Sequence, residues 1–352
     1  MYNGVRGWLI GFYDPHFWTE LVGGRYDTLV LKSSKQALAT LHLTRLSVAI
    51  GAVADIWLVL ILTKSDSDFV GTSVYLIPWW SSLLATAVVA ICMCGFAASL
   101  NDTLDVRHDA AFHPNRPIPK GLLSMSHAAV VMVSCLLMAL LAASFLGTWP
   151  VQIALLTAAI VLFYNTVGKF VPAVGIVSIS LLYATHMLIA NIELTFTLPV
   201  WLVMTHVMIC GISVYVLEGK RPKISFRGWM GIVLGWIFWS AVILGGPYAR
   251  TGSILPDSMS VFSLIWIVAA IVGFIVTIRW KIMRASSRRI AAEKIRRYGA
   301  LWECIYAGAW LAALQLTWAS IAMFGFALFA GVTVMLVKET TGGSGKPLAW
   351  RI

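Results

Sequence analysis

The segment LLATAVVAICMCGFAASLNDTLDVRHD, residues 83–109, decides the fold class because an apolar run leads directly into three aspartates. The run extends over residues 75–100, which is more than the roughly 20 residues with which a helix crosses the hydrocarbon core of a bilayer. Hydrophobic residues make up 59% of the chain and charged residues only 12%. The sequence therefore predicts an all-α fold, a multi-span bundle of transmembrane helices.

Eight further apolar runs predict the number of spans. They cover residues 38–63, 126–147, 150–167, 171–192, 198–217, 228–244, 261–280 and 301–337. The last run is too long for one ordinary span, so we expect nine or ten helices. One transmembrane domain over residues 38–337 holds them, between an N-terminal cytoplasmic or interfacial segment, residues 1–37, and a C-terminal tail, residues 338–352.

The net charge of +11 is distributed as a membrane protein requires. Basic residues collect in alternate connections between the runs, most densely in RWKIMRASSRRIAAEKIRR, residues 279–297. By the positive-inside rule, the N-terminus and these connections face the cytoplasm. Because membrane topology accounts for the charge, we expect the lipid bilayer as a partner and no nucleic acid.

The aspartates that follow the second run predict a metal site. If the helix continues past residue 100, a rotation of 100° per residue places Asn101, Asp102, Asp105 and Asp109 within an arc of about 100°. Carboxylates that face one way repel each other unless a cation lies among them. Mg²⁺ suits this position, since it prefers oxygen ligands and commonly binds one or two carboxylates together with the phosphates of a substrate.

Basic residues close behind the aspartates predict a diphosphate partner for the metal. Arg107, Arg116 and Lys120 can contact phosphate oxygens, arginine through its planar fork and lysine as a point charge. The alternative is a solvated loop that only sets the orientation of the helices. The shared face of the acids and the two prolines of NRPIPKG, residues 115–121, favour the metal–diphosphate site.

Three motifs resemble those of one family. NDTLDVRHD, residues 101–109, has the form NDxxDxxxD and, with NRPIPKG, resembles the first signature of the UbiA superfamily of intramembrane prenyltransferases. FYNTVGK, residues 163–169, is similar to the Tyr and Lys of the family's next cytoplasmic loop. LHLTRLS, residues 41–47, is similar to the family's LTRP, with Leu46 in place of proline. The resemblance covers roughly residues 38–337.

The resemblance implies a fold and a set of site residues. The family is all-helical, usually with nine spans around a central cavity, and its first motif binds Mg²⁺ and the diphosphate of an isoprenyl donor. By this match the metal ligands are Asn101, Asp102, Asp105 and Asp109. The diphosphate ligands are Asn101, Arg116, Lys120 and Lys169, and the catalytic residues are Asp102, Asp105, Asp109 and Lys169.

The second acidic motif departs from the family. It reads SVYVLEGKRPK, residues 213–223, where the family carries aspartates spaced as DxxxD. Glu218 remains as a metal ligand, but Val216 and Lys220 stand where aspartates are expected. We therefore expect Lys220, with Arg221 or Lys223, to bind diphosphate and to replace the charge of a second Mg²⁺. The alternative is that these bases only set the membrane orientation.

Polar residues inside the apolar runs are candidates for lining the cavity. They are Asp55, Tyr164 and Tyr215. An ionisable group at membrane depth is costly enough to indicate a function, although Asp55 could equally pair with a polar neighbour. His186, Asn191 and His206 either line the same chamber or form hydrogen bonds between helices.

Three functions are compatible with these features. The first is a Mg²⁺-dependent prenyltransferase that moves an isoprenyl group from its diphosphate to a lipophilic or aromatic acceptor. The second is a terpene cyclase of the same superfamily, in which the ionised donor closes on itself. The third is a transporter or lipid-binding protein, against which stands the absence of paired halves in the sequence.

Overall fold

The computed structural model describes residues 43–112, 114, 116, 118–119, 121, 123–257 and 259–342. This part of the chain forms twelve α-helices and three short 3₁₀-helices, which confirms the all-α prediction. The α-helices are α1 Leu43–Ser65, α2 Ser73–Leu76, α3 Trp79–Leu104, α4 Val106–Phe112, α5 Met125–Leu146, α6 Thr148–Thr166, α7 Pro172–Met187, α8 Leu198–Leu217, α9 Phe226–Thr251, α10 Ile265–Met283, α11 Arg288–Ala313 and α12 Thr317–Gly342. The predicted N-terminal segment, residues 1–37, and Lys120 lie outside the described residues.

Eight of these helices are long and apolar enough to cross a membrane, so the chain is a multi-pass integral membrane protein. They are α1, α3, α5, α6, α8, α9, α10 and α12. The apolar helix α7 is shorter, and α11 carries charge in its first half. Among the described residues the eight candidate spans are fewer than the predicted nine or ten, and α7 and α11 pack among them.

The long apolar run 301–337 contains the second half of α11 and most of α12. The two helices are separated by a turn at Gln315, whose φ of 60° lies in the left-handed region. The N–H of Leu316 donates to the carbonyl of Leu311 at 2.9 Å, which satisfies an acceptor at the end of α11. A glycine usually occupies such a position, so the sequence gives no ordinary signal for this break.

Helix α11 packs against α1 at a close crossing. A Cβ atom on Gly51 of α1 would overlap both Oε2 of Glu303 and the carbonyl oxygen of Ala300. Glycine permits this approach because it has no side chain. The crossing brings the second half of α11, including the carboxyl of Glu303, against the middle of α1.

The first acidic motif lies at the junction of α3 and α4. Asp105 follows the last residue of α3, and its N–H donates to the carbonyl of Asn101 at 3.0 Å. The N–H of Asp109 in turn donates to the carbonyl of Asp105 at 2.7 Å. The backbone hydrogen bonds therefore continue across the junction, although the aspartate side chains of the described residues do not converge as a metal-binding group.

Candidate functional site

Asp109 forms the first ion pair of the site. Its side chain is buried, with the residue 2% exposed, and its Oδ2 accepts a hydrogen bond from Nη1 of Arg116 at 2.6 Å. Nδ1 of His108 lies 3.8 Å from the other carboxylate oxygen. Arg116 belongs to the loop after α4, so this charge-assisted bond ties the loop to the acidic motif.

Asp105 forms the second ion pair, with a residue distant in sequence. Nζ of Lys169 donates to Oδ1 of Asp105 at 2.5 Å. Lys169 lies in the 3₁₀-helix Gly168–Phe170 that follows α6. This turn packs tightly on the start of α7, since a Cβ on Gly175 would lie 2.9 Å from the carbonyl oxygen of Gly168. The structure thus brings together two motifs that the sequence analysis assigned to one site.

Glu218 of the second motif also contacts cations. It follows the last residue of α8, and its Oε1 accepts from Nη2 of Arg296 on α11. Its Oε2 lies 3.4 Å from Nζ of Lys220. The sequence analysis did not single out Arg296, because it lies within a dense basic stretch that membrane topology already explains. Arg221 is exposed in the same loop.

Tyr164 connects the two acidic motifs. It lies near the end of α6, and it interacts electrostatically with both Asp105 and Arg296. The ends of α3, α6 and α8 and the first half of α11 therefore lie towards one end of the bundle. We call the charged residues at this end the mouth cluster; they are Asp105, Asp109, Arg116, Lys169, Glu218, Lys220 and Arg296.

Tyr215, predicted to line the cavity, bonds to the neighbouring loop. Its hydroxyl donates to the carbonyl oxygen of Pro222 at 2.6 Å. Gly219, with φ of 61°, makes the turn that returns the chain towards Tyr215. This contact fixes the loop that carries Lys220 and Arg221 at the end of α8.

A second group of acidic residues lies deep inside the bundle. Asp55 on α1 and Glu303 on α11 are each 1% exposed, and their carboxyl groups are within hydrogen-bonding reach of each other. Both oxygens of Asp55 and Oε2 of Glu303 lack a hydrogen-bond donor among the described residues. We call these two residues the interior acid pair. The sequence analysis identified Asp55 but missed Glu303, although an acid within a long apolar run was a usable signal.

His206 and Asn191 form hydrogen bonds with distant parts of the chain. His206 on α8 contacts the carbonyl oxygen of Gly299 at 3.2 Å and the hydroxyl of Tyr306 at 3.2 Å, both on α11. Nδ2 of Asn191, in the segment after α7, donates to the hydroxyl of Thr63 on α1 at 3.2 Å. The contacts of His206 match the alternative of hydrogen bonds between helices, whereas Nε2 of His186 has no partner among the described residues.

Parts of the chain are similar in sequence to known proteins. Residues 70–218 match the sequence profile of the UbiA prenyltransferase family. A digeranylgeranylglyceryl phosphate synthase of Methanococcus maripaludis is 31% identical over 24% of this chain and 31% of its own length. The synthase of the same name from Methanopyrus kandleri is 30% identical over 27% of this chain and 35% of its own length.

The fold has a counterpart among solved structures. A structure described as that of a digeranylgeranylglyceryl phosphate synthase in membranes is 17% identical, covering 78% of this chain and 97% of that chain with a TM-score of 0.51. The sequence matches span only about a third of the length of the curated relatives. The profile match includes the first acidic motif, Lys169 and the second motif as far as Glu218, whereas Asp55, Arg296 and Glu303 lie outside it. The match to the UbiA prenyltransferase family thus covers residues 70–218, less than half of the chain.

Proposed function

We propose that this chain is an intramembrane prenyltransferase, which moves an isoprenyl group from its diphosphate to a lipophilic or aromatic acceptor. The observation that carries the proposal is the ion pair between Asp105 and Lys169, which joins the acidic motif to the base of a separate loop. A metal–diphosphate group needs both kinds of residue, acids for the metal and cations for the phosphate oxygens. The names of the relatives suggest geranylgeranyl diphosphate as the first donor to test.

Magnesium fits the first motif by the chemistry of its ligands. Asn101, Asp102 and Asp105 offer oxygen atoms from one end of α3, and Mg²⁺ prefers such ligands. No three acidic, histidine or cysteine side chains in the described ranges converge as a metal-binding group. We therefore expect diphosphate oxygens and water to complete the coordination shell. The bound ion would neutralise charge on the leaving diphosphate.

The bases of the mouth cluster would hold the diphosphate itself. Arg116 and Lys169 are paired with Asp109 and Asp105, so each base has a counter-ion before substrate arrives. When the carboxylates turn to the metal, the two bases become available to the phosphate oxygens. We assign Lys120 and Arg221 the same role, although Lys120 lies outside the described residues.

The reaction breaks the bond between C1 of the isoprenyl group and the bridging oxygen of the diphosphate. The electron pair leaves with the diphosphate, where Arg116 and Lys169 stabilise the added charge. The allylic cation that remains is captured by the acceptor, which then loses a proton. Water must be excluded from the cation; the turns of α3 before the motif are suited to this, because they bury Met93, Phe96 and Leu100.

The charge pattern also suggests a location and a metal count. The basic connections place the mouth cluster on the cytoplasmic side by the positive-inside rule. The second motif offers only Glu218, whose oxygens contact Arg296 and Lys220. We therefore propose one firmly bound Mg²⁺, held at the first motif, with protein cations in place of the second.

Release of diphosphate tests the proposed activity. Purified protein in nanodiscs receives geranyl, farnesyl or geranylgeranyl diphosphate with Mg²⁺, with and without aromatic or lipid acceptors. Release that depends on an acceptor supports prenyl transfer. Release without an acceptor, with hydrocarbon or terpene alcohol products, would instead identify a terpene cyclase. No release from any donor, with Asp105→Ala behaving like wild type, would contradict both activities.

A further inference from the structure

Arg296, like Lys220, is a residue of the mouth cluster that lies outside the family match. It lies on α11, outside the matched residues 70–218, and its guanidinium contacts Glu218 at the end of α8. Its side chain is 35% exposed, so the guanidinium is accessible from the mouth. Because Arg296 is partly exposed and already paired with a carboxylate, it can release Glu218 and bind another anion.

Arg296 lies near enough to Tyr164 of α6 for its charge to act on the tyrosine hydroxyl, and the charge of Asp105 acts on the same hydroxyl. Lys169 also contacts Asp105. A metal–diphosphate group bound at Asp105 and Lys169 would therefore lie at the same end of the bundle as Arg296.

The second-motif side of the mouth cluster carries more positive than negative charge. One carboxylate, that of Glu218, faces two cations, Arg296 and Lys220. The next residue on α11, Arg297, is only 8% exposed, and its Nε has no partner among the described residues. A buried guanidinium nitrogen without a partner is costly. The excess of positive charge at Glu218, where Arg296 and Lys220 face one carboxylate, favours binding of an anion.

We propose that Arg296 binds the donor diphosphate directly and, with Lys220, replaces the second metal of the site. This inference rests on the proposed function and names a further binding residue for it. Arginine suits the role because its planar fork makes two parallel hydrogen bonds to phosphate oxygens and always carries its charge. Glu218 is then a counter-ion that holds Arg296 in place until the diphosphate displaces it.

Binding of geranylgeranyl diphosphate to the full chain in nanodiscs, at saturating Mg²⁺, tests this role. Arg296→Ala removes a charge-assisted contact, so we expect the dissociation constant to rise about ten- to hundredfold. Arg296→Lys keeps the charge without the fork and should recover part of the loss. The matched control is Arg289→Ala, an exposed arginine in the first turn of the same helix, which should bind like wild type.

A second variant separates direct binding from a supporting role. If Arg296 only positions Glu218 as a metal ligand, Glu218→Gln should weaken donor binding as much as Arg296→Ala does. If Arg296 binds diphosphate, Glu218→Gln removes its competitor, and the donor should bind more tightly than to wild type. Wild-type affinity in Arg296→Ala, or equal losses in the two variants, would overturn the inference.

The same variants also separate the role of Arg296 from the proposed prenyltransferase activity. Loss of binding in Asp105→Ala with wild-type affinity in Arg296→Ala would refute the role of Arg296 and leave the prenyltransferase proposal intact. Wild-type protein that binds and cleaves no donor would refute the proposed function, and the role of Arg296 with it. Thermal unfolding of each variant shows whether a loss of donor binding comes from the site or from a loss of the fold. If Arg296→Ala does not fold, the donor affinities of Arg296→Lys and Glu218→Gln test the role of Arg296.

Discussion

The mouth cluster and the interior acid pair accommodate negative charge in opposite ways. In the mouth cluster, Asp105, Asp109 and Glu218 each contact a lysine or an arginine. In the interior acid pair, Asp55 and Glu303 contact each other, each 1% exposed and neither in an ion pair within the described residues. Acids with cations can exchange them for a metal and a diphosphate. Two buried acids without a cation must instead be neutralised by protons.

The interior acid pair therefore has a different chemistry from the mouth cluster. Ionised carboxylates only accept hydrogen bonds, so the contact between Asp55 and Glu303 becomes a bond when one of them carries a proton. The pair lies where Gly51 lets α1 and α11 approach closely. The interior pair is thus part of a helix–helix contact, whereas ion exchange is proposed only for the mouth cluster.

The largest effect is expected from removing the central acid of the mouth cluster. Asp105→Ala deletes both a predicted metal ligand and the partner of Lys169, so diphosphate release should fall at least about a hundredfold. The measurement is the release rate at saturating Mg²⁺ and donor. Asp68→Ala, at an exposed aspartate in the 3₁₀-helix Ser67–Phe69, is the control that should keep the wild-type rate. Equal rates in the two variants would contradict the assignment of Asp105.

Removing the base of the same ion pair should have the next largest effect. Lys169→Ala leaves the acid but removes a phosphate contact, so we expect kcat/KM for the donor to fall about ten- to hundredfold. Arg227→Ala, at an exposed residue in the first turn of α9, removes the same charge away from the cluster. If both variants lose the same activity, general surface charge rather than the pair with Asp105 explains the effect.

A larger residue at the crossing of α1 and α11, beside the interior acid pair, should lower the stability of the protein. Gly51→Ala forces α1 away from Glu303 and Ala300, and such overpacking costs about 1–3 kcal/mol. Gly211→Ala on α8 is the matched control, because no described atom lies within 4 Å of the added Cβ. Thermal unfolding in detergent should show a lower midpoint for Gly51→Ala alone. A midpoint unchanged from wild type would mean that the crossing is looser than the structure indicates.

The smallest effect is expected from neutralising one member of the interior acid pair. In Glu303→Gln an amide N–H can donate to Asp55 in place of the shared proton, so stability should change by no more than about 1 kcal/mol. Glu303→Leu cannot donate and leaves Asp55 without a partner, so it should unfold at a lower temperature. If the glutamine variant is as unstable as the leucine variant, the two carboxyls do not share a proton.

The sequence pointed to both members of the ion pair between Asp105 and Lys169. The shared face of Asp102, Asp105 and Asp109 follows from helical spacing, and the Lys169 motif was identified before the structure placed it against Asp105. Local patterns of this kind are visible because each lies within a few residues. Tertiary packing then brings the first acidic motif and the loop of Lys169 into contact.

Arg296 and Glu303 could not be assigned in the same way. Both are on α11, two turns apart on one face, but its first half reads as a basic connection and its second half as part of a long apolar run. The partners of these residues, Glu218 and Asp55, are on α8 and α1. Contacts between distant helices depend on tertiary packing, which the sequence pattern does not specify.

The most direct test of the exchange proposed for the mouth cluster is a crystal structure with Mn²⁺ and geranylgeranyl diphosphate, in which anomalous scattering locates the metal. We predict one fully occupied Mn²⁺ at Asp102 and Asp105, with Lys169 and Arg296 on the diphosphate oxygens. Two fully occupied metals held by protein ligands, with Arg296 still bound to Glu218, would contradict the account.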